Sequence, residues 1–231
     1  MKAELIDHMG SDLTVVNAAR VSFDKTSEFA DADGNVELLP GNVVQPTGKY
    51  LREEDVKLIK YLASHGHWTP ASHPIIQLRE TVPIFVARQR FKHMVGFTYN
   101  EVSRRYVDDT PEFYVPEMWR SRPDKSIKQG SGGTHPKTQF WSDRYGVFIA
   151  KAEQLYSEMV ADGVAPEQAR MVLPQSMLTS YYVTGSLYAW ARATKQRVDA
   201  HAQYEIQLLG HQWDAIIEPL FPVSWAAFSK G

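Results

Sequence analysis

Several stretches of the chain carry apolar residues at every third or fourth position, which is the spacing of one helix face. Residues 53–65 show this spacing behind an acidic first turn, and Gly66 would end the helix. Residues 141–162 show it again, with Gly163 as the end. The residues that repeat at this spacing in the second helix are Trp141, Tyr145, Phe148, Ala152, Leu155 and Met159.

Proline and capping residues indicate where further helices begin and end. Proline is accepted in a first helical turn but stops a helix that runs into it, and a serine hydroxyl can cap the free amides of a first turn. The predicted helices are one after Pro83 over residues 84–94, one from Pro166 that must end before Pro174, one capped by Ser186 to about Gln196, and one after Asp199. The last of them would bury Ala202, Ile206, Leu209, Trp213 and Ile216.

Fewer segments have the composition of strands. The β-branched and aromatic residues of 13–23 predict one short strand, and the apolar run 75–78 predicts another. Residues 24–49 and 121–139 are rich in Gly, Pro and polar residues, and we expect loops there, the second of them a flexible surface loop. No repeat or long linker divides the chain. The prediction is a single α+β domain over residues 1–231, helix-rich, with a small, mostly antiparallel sheet.

The composition excludes several classes of chemistry. The 25 basic and 27 acidic residues give a net charge of −2, which excludes a polybasic, histone-like protein. The chain has no cysteine, so disulfides, cysteine-bound zinc, iron–sulfur clusters and a cysteine nucleophile are excluded. Its first residues carry charge too early for a secretory signal, and no apolar run approaches the ~18 residues that span a bilayer. We therefore expect a soluble, cytoplasmic protein.

Basic residues concentrate between positions 88 and 106, where five cations accompany one anion, Glu101. The cations are Arg88, Arg90, Lys92, Arg104 and Arg105, and they are interleaved with the aromatic residues Phe91, Phe97, Tyr99 and Tyr106. One interpretation is a solvated charged face. The other, which the shortage of acids and the interleaved rings favour, is a pocket for a planar, anionic ligand.

Two further groups of residues leave alternatives open. His65, His67 and His73 could be metal ligands, but no carboxylate lies among them and their spacing is not a helical i,i+4 pair. A helix end followed by a turn, or a lip over a flat ligand, would also explain them. Arg170 and Arg197 stand at predicted helix boundaries, where arginines usually cap helices or lie on the surface.

Five short motifs in one order along the chain resemble the flavin-dependent thymidylate synthases. The motifs are residues 18–22, 67–70, 88–106, 169–174 and 197–206, so the resemblance covers about residues 13–217. That family shows Arg-His-Arg followed after seven residues by Ser. Here the triplet reads Lys92-His93-Met94, and eight residues separate it from Ser103. Arg192 stands where the family has an asparagine that touches the flavin.

The resemblance implies a reaction and its cofactors. Family members make dTMP from dUMP, taking a one-carbon unit from methylenetetrahydrofolate and a hydride from reduced FAD, which NADPH regenerates. They need no enzyme cysteine, which agrees with the composition of this chain. The matched motifs, together with the poor metal-ligand spacing of His65, His67 and His73, predict that no metal takes part. They are homotetramers whose flavin sites are shared between subunits, so the resemblance also implies that assembly.

The matched positions imply individual roles. The residues around dUMP would be Gln89, Arg90, Lys92, Glu101, Val102, Ser103, Arg104, Arg105, Arg170 and Arg197. The residues lining FAD would be His67, Thr69, Lys92, His93, Met94, Glu101, Ser186, Leu187, Tyr188, Arg192 and His201. Arg105 would clamp the phosphate and Arg170 would hold the nucleotide from the opposite side. Arg197 would be the catalytic residue, facing the uracil and stabilising its N3-deprotonated form.

Two other functions compete with this one. Cations interleaved with aromatic residues also suit a single-stranded nucleic-acid-binding protein, which would stack bases and contact phosphates. A metallohydrolase built on the histidine cluster is the second alternative. The net charge of −2 and the scattered motifs speak against nucleic-acid binding.

Overall fold

The computed structural model describes residues 1–31, 49–106, 109–124 and 130–231, in which helices alternate with short strands. The helices are α1 (Asp12–Arg20), α2 (Glu53–Ser64), α3 (Ile84–Arg90), α4 (Thr138–Ala161), α5 (Pro166–Ala169), α6 (Leu187–Arg197), α7 (Tyr204–Ile217) and α8 (Pro222–Ser229). The strands are β1 (Lys2–Met9), β2 (Ala30–Asp31), β3 (Lys49–Tyr50), β4 (Ile75–Pro83), β5 (Phe97–Glu101) and β6 (Leu178–Ser186). Short 3₁₀ turns lie at Val21–Phe23, Thr69–Ser72 and Arg170–Val172.

Four antiparallel strands form the main sheet, in the order β1, β4, β6, β5. The two-residue strands β2 and β3 pair separately. Along β4 and β6, buried and less buried residues alternate, as expected for a sheet with one face on the core and one face turned outward. The predicted α+β class, helix-rich with a small antiparallel sheet, is confirmed.

Three tryptophans join the helices to the core face of this sheet. Trp190 of α6, Trp213 of α7 and Trp225 of α8 are wholly buried. The indole N–H of Trp190 donates to the backbone oxygen of Ile76 in β4 (3.2 Å). Because burial of such large apolar surfaces is the main stabilising term in folding, this contact fixes α6 relative to the sheet.

Most of the helices predicted from local signals are confirmed. Helix α2 ends at Ser64, and Gly66 follows with a φ of +68° that favours glycine. The helix from Pro166 and the 3₁₀ turn after it end before Pro174. Ser186 caps α6, because its Oγ accepts a hydrogen bond from the amide of Ala189 (3.3 Å).

The strand predicted over residues 13–23 is wrong, since this segment forms α1 and a 3₁₀ turn. Valines favour strands, but Val15 and Val16 here lie wholly buried on one side of a helix. The carboxylate of Asp12 accepts hydrogen bonds from the backbone amides of Val223 (3.1 Å) and Ser224 (2.8 Å). These long-range contacts with the first turn of α8 outweigh the local strand preference.

Four of the longer elements were not predicted, namely β1, β5, β6 and α8. The predicted strand at 75–78 extends to Pro83, and the helix predicted over 84–94 stops at Arg90. It stops because the chain turns back to begin β5, with the amide of Phe97 donating to the oxygen of Met94 (3.2 Å).

The apolar residues that repeat along helix α4 are only partly buried. Ala152 is buried, whereas Trp141, Phe148 and Leu155 are 44%, 53% and 45% exposed. About half of each of these three side chains is therefore accessible in the described part of the chain. The predicted helix is confirmed.

Parts of the predicted loops fall outside the described residues. These parts are positions 32–48 of the first loop and 125–129 of the second. The described ends of the second loop run into α4, which begins at Thr138. Its flexibility stays a prediction. No helix in the described ranges is both long and apolar enough to cross a membrane.

Candidate functional site

A cleft of about 800 Å³ opens between the ends of β5 and β6 and the turn that follows α5. Six predicted dUMP contacts line it: Glu101, Val102, Ser103, Arg104, Arg105 and Arg170. Arg79, on the outward face of β4, lines it as well. We call it the arginine cleft after its four guanidinium groups, those of Arg79, Arg104, Arg105 and Arg170.

Most of these arginines have no acidic partner among the described residues. The exception is Arg104, whose Nη1 lies 2.8 Å from a carboxylate oxygen of Asp109. The Nε of Arg105 donates instead to Ser103 Oγ (3.3 Å), and that of Arg170 donates to a backbone oxygen three residues earlier (3.2 Å). Guanidinium groups without a neighbouring carboxylate are suited to a phosphate, which they bind by charge-assisted, often bidentate hydrogen bonds.

Glu101 supplies a carboxylate to the wall of the cleft. It is the last residue of β5, and Thr179 Oγ1 donates to its Oε1 (2.7 Å). The amide of Val102 donates to the oxygen of Ser180 (2.9 Å), which extends the pairing with β6 by one residue. The backbone is therefore fixed where Ser103 and the two arginines after it turn into the cleft. A carboxylate held in this way can accept hydrogen bonds from a ligand's hydroxyl or N–H groups.

Arg79 was not among the predicted site residues. Its position in β4 alternates with the buried Leu78 and Glu80, so its side chain leaves the sheet on the outward face. There its Nε lies 3.4 Å from Ser180 Oγ, within the lining of the cleft. Alternation along β4 was the available signal, but it shows only the face and not which segments lie beside it.

His93 and Arg197 form a hydrogen-bonded pair outside the lining of the arginine cleft. Arg197 Nε donates to His93 Nε2 (2.8 Å), so this imidazole is neutral and carries its proton on Nδ1. Burial, together with the guanidinium groups of Arg197, Arg90 and Arg192, lowers the pKa of His93 to about 4. Burial and the nearby Arg90 also lower the pKa of Arg197. One edge of the Arg197 guanidinium is thus held, and its terminal amino groups remain available.

Arg90, which was predicted to contact dUMP, does not line the arginine cleft. It is 0% exposed and ion-paired with Glu80, which is equally buried (Nε–Oε2 3.2 Å). The cause is the geometry of α3, which turns this side chain into the core while Arg88 points outward.

The other two predicted dUMP residues of this segment also lie outside the cleft lining. The side-chain amide of Gln89 donates to the side-chain oxygen of Gln203. The side-chain amide of Gln203 in turn donates to Glu205 Oε2 (2.8 Å). Arg120 completes this network with an ion pair to Glu205 (2.5 Å). Lys92 is exposed in the turn after α3.

Most predicted flavin residues meet at the N-terminal half of α6. Tyr188 stacks on Trp68 (ring centroids 5.5 Å apart), next to Thr69. The turn that carries Met94 packs against the same helix at Gly96, where a Cβ would lie 2.8 Å from that of Ala189. Arg192 Nη2 donates to the oxygen of Val95 (3.1 Å) and ties this turn to α6. We call the surface formed by Trp68, Thr69, Met94, Tyr188 and Arg192 the α6 surface.

Ser186 and Leu187 precede Tyr188, and both side chains are buried. Ser186 is occupied as the cap of α6, and the Leu187 side chain is wholly buried in the core. These two residues could therefore offer a ligand mainly backbone groups. Glu101, the remaining predicted flavin contact of the central motif, lines the arginine cleft.

The histidines occupy separate exposed positions. His65 Nδ1 lies 3.0 Å from the oxygen of Tyr61, and its ring stacks on that tyrosine. His67 follows the turn at Gly66, with its ring centroid 6.3 Å from that of His65. His201 lies between α6 and α7, where its Nδ1 is 2.9 Å from Asp199 Oδ1. In the described ranges no three potential ligands are grouped as a metal would require.

The α6 surface has the chemistry of a flavin nucleotide site. Met94 is 73% exposed and Trp68 48%, so apolar groups suited to a flat ring face outward. Lys92 and Arg192 stand beside them without an acidic partner among the described residues, as phosphate groups require. The residues present therefore fit such a cofactor.

Comparisons with known proteins identify relatives of this chain. The family model described as "Thymidylate synthase complementing protein" matches residues 4–223. A flavin-dependent thymidylate synthase of Thermotoga neapolitana is 34% identical over 98% of this chain and 90% of its own. The chain belongs to the flavin-dependent thymidylate synthase family. Another member, from Thermus thermophilus, is 32% identical over 98% of this chain and 74% of its own.

Solved structures extend the family resemblance to the fold. A UMP/dUMP methylase, PolB from Streptomyces cacaoi, bound with 5-Br dUMP, superposes with a TM-score of 0.78 at 28% identity. The match covers 99% of this chain and 94% of that one. The comparisons give no support to the alternative of single-stranded nucleic-acid binding.

Proposed function

We propose that the protein reductively methylates dUMP to dTMP in the cytoplasm. The one-carbon unit would come from methylenetetrahydrofolate and the hydride from reduced FAD, which NADPH regenerates. The observation that carries this proposal is the arginine cleft, whose three guanidinium groups without an acidic partner in the described ranges suit a nucleotide phosphate. Membership of the family and the likeness to a UMP/dUMP methylase support it.

The phosphate of dUMP would bind in the arginine cleft. Arg105 would take it with a guanidinium already steadied by Ser103, and Arg170 would approach from the turn after α5. Arg104 would be less available, because Asp109 occupies part of its guanidinium. Glu101 and Val102 would form the wall next to the sugar.

Arg197 would act on the uracil. Because its Nε is held by His93, the two terminal amino groups can meet the pyrimidine edge in a fixed direction. A guanidinium there stabilises negative charge as the N3 proton leaves, which makes the ring more electron-rich at the carbon that is methylated. Gln89 would need to leave Gln203 to reach the same ring.

The flavin would bind on the α6 surface, held by Thr69, Lys92, His93, Met94, Tyr188 and Arg192 and by the backbone of Ser186 and Leu187, with His67 and His201 at its margin. When bound, it supplies the two electrons that reduce the methylene carbon to a methyl group. Lys92 keeps the positive charge where the family has arginine but cannot form bidentate hydrogen bonds. Met94, at the second arginine of the family's triplet, carries no charge. Arg192 would return a cation to that surface.

The active protein would be a homotetramer with flavin sites shared between subunits. The exposed side chains of α4 support this proposal: Trp141, Phe148 and Leu155 lie on one long helix and are 44%, 53% and 45% exposed. A contiguous apolar face of this kind is typical of an interface. Size measurement of the purified protein tests it, with a monomer as the contrary result.

The proposed reaction is tested by spectroscopy and product analysis. The purified protein should be yellow, NADPH should bleach the flavin absorbance without oxygen, and dUMP with methylenetetrahydrofolate should then yield dTMP. A chelator should leave the rate unchanged, because no metal takes part. A colourless protein that shifts single-stranded oligonucleotides, or an activity lost with chelator and restored by zinc, would refute the proposal.

A further inference from the structure

A buried ion pair lies behind the proposed catalytic arginine. Arg90 and Glu80 are both 0% exposed, and Arg90 Nε lies 3.3 and 3.2 Å from the two carboxylate oxygens. Tyr181 adds a hydrogen bond to Glu80 Oε2 (2.5 Å). The guanidinium carbon lies 4.4 Å from the ring centroid of Phe97 and 4.8 Å from that of Trp190. Removing two charges from water is costly, and apolar replacements of such pairs are often at least as stable, so stability alone explains this pair poorly.

The pair is linked to the turn that follows α3. Arg90 Nη1 donates to the hydroxyl of Tyr99 (2.5 Å), and that hydroxyl donates to the backbone oxygen of His93 (2.6 Å). Burial raises the pKa of Tyr99 to about 12, so the phenol keeps its proton at working pH. A cationic donor strengthens the next hydrogen bond in such a chain. The Tyr99 hydroxyl thus connects Arg90 to the backbone of His93.

His93 connects this path of hydrogen bonds to Arg197. Its amide donates to the oxygen of Arg90 (3.1 Å), and its Nε2 accepts from Arg197 Nε (2.8 Å). The hydrogen bonds thus form one continuous path from Glu80 through Arg90, Tyr99 and His93 to Arg197. Only the last of these residues would face a substrate.

We propose that Arg90, anchored by Glu80, is a positioning residue for the methylation of dUMP. Through the Tyr99 hydroxyl it sets the His93 backbone, and through the His93 imidazole it directs the guanidinium of Arg197. This rests on the proposed function, which assigns Arg197 to the uracil. A misplacement of about 1 Å far from the chemistry can lower a rate about 100-fold, so a core residue can control turnover without touching the substrate.

Tyr99→Phe tests this path of hydrogen bonds, because it removes only the hydroxyl that connects Arg90 to His93. The variant loses the hydroxyl but keeps the ring, which packs on Phe91 (centroids 5.0 Å apart), and leaves the ion pair with Glu80 in place. Single-turnover dTMP formation with pre-reduced flavin should fall about tenfold, and the Kd for dUMP should change less than about twofold. Tyr145→Phe is the matched control, since Tyr145 also donates its hydroxyl to a backbone oxygen, that of Tyr114 (2.8 Å). It should leave the rate within about twofold of wild type.

A double-mutant cycle distinguishes positioning from general loosening of the core. If Tyr99 acts through Arg197, then Tyr99→Phe should cost little further rate in an Arg197→Lys background. Arg90→Lys keeps the charge beside Glu80 but cannot reach both partners, and it should lower the rate of the otherwise wild-type protein as Tyr99→Phe does.

The outcomes separate this inference from the proposed function. The positioning role would be overturned by a wild-type rate in Tyr99→Phe, or by a loss of rate that adds in full to that of Arg197→Lys. In either case, dTMP formation by the wild-type protein would still support the function. A fall in thermal stability equal to that of Tyr145→Phe, with no change in rate, would also overturn it. A wild-type protein that binds dUMP but makes no dTMP would refute the function, and the inference with it.

Discussion

Replacing His93 with glutamine should remove a specific part of the protein's sensitivity to acid. The pKa of His93 is about 4 in the folded protein, against 6.5 for an unperturbed histidine, because the ring is buried among the guanidinium groups of Arg197, Arg90 and Arg192. Between these two pKa values the unfolded chain binds more protons than the folded protein. The contribution of His93 to stability is therefore complete above pH 6.5 and is lost as the pH falls towards 4.

The size of this effect follows from the same two pKa values. By pH 4.5 the loss of stability from this one histidine is on the order of 2–3 kcal/mol, since each unit of pKa difference corresponds to about 1.4 kcal/mol. His93 is only 7% exposed, so solvent screening reduces the value little. Glutamine cannot be protonated in this range, but its side-chain oxygen can still accept the hydrogen bond from Arg197 Nε. The variant isolates the titration from the contact.

Urea unfolding of both proteins at pH 7.5, 6.5, 5.5 and 4.5 measures the effect. Protein concentration and flavin content must be held fixed, because bound ligands shift stability. The free energy of unfolding should fall more steeply with acid in the wild type, and the gap between the two curves should change by about 2–3 kcal/mol across the range. His211→Gln, at an exposed histidine of α7, controls for the loss of any histidine. Parallel curves for wild type and His93→Gln would refute the reasoning.

Three further predictions concern the arginines. Arg105→Ala should weaken dUMP binding about 10- to 150-fold with the flavin still bound, as measured by titrating dUMP against the flavin spectrum. Arg122→Ala, at an exposed arginine outside the cleft, is the control. If the two variants bind dUMP with equal affinity, the phosphate assignment is refuted. Arg79→Gln should weaken dUMP about 3- to 10-fold and leave deoxyuridine unaffected, and equal losses for both ligands would argue against contact with phosphate. Arg197→Lys should lower single-turnover dTMP formation about 10²- to 10³-fold and dUMP affinity much less; an unchanged rate in a slightly less stable variant would mean that Arg197 only caps α6.

The sequence alone determined the features that depend on neighbouring residues. Helix α2 could be predicted because its acidic first turn, apolar spacing and final glycine all lie within a few residues of one another. Helix α6 could be predicted from its serine cap in the same way. The cluster of cations between 88 and 106, the absence of cysteine and the family motifs likewise need no fold to be seen. Together with the matched motifs they were sufficient to predict the family and three of the four arginines of the arginine cleft.

Tertiary structure decided what depends on residues far apart in the chain. Residues 13–23 form a helix because α8, some 200 positions later, takes up the carboxylate of Asp12. Arg79, on the outward face of β4, becomes part of the cleft only because β6 and the turn after α5 lie beside this strand. Conversely, Arg90 belongs to the cluster of cations that suggested a ligand site, but it lies in the core, because Glu80 and four aromatic rings enclose it. A local pattern shows that a charge is present, but the energy of burying it depends on partners that only the folded chain brings together.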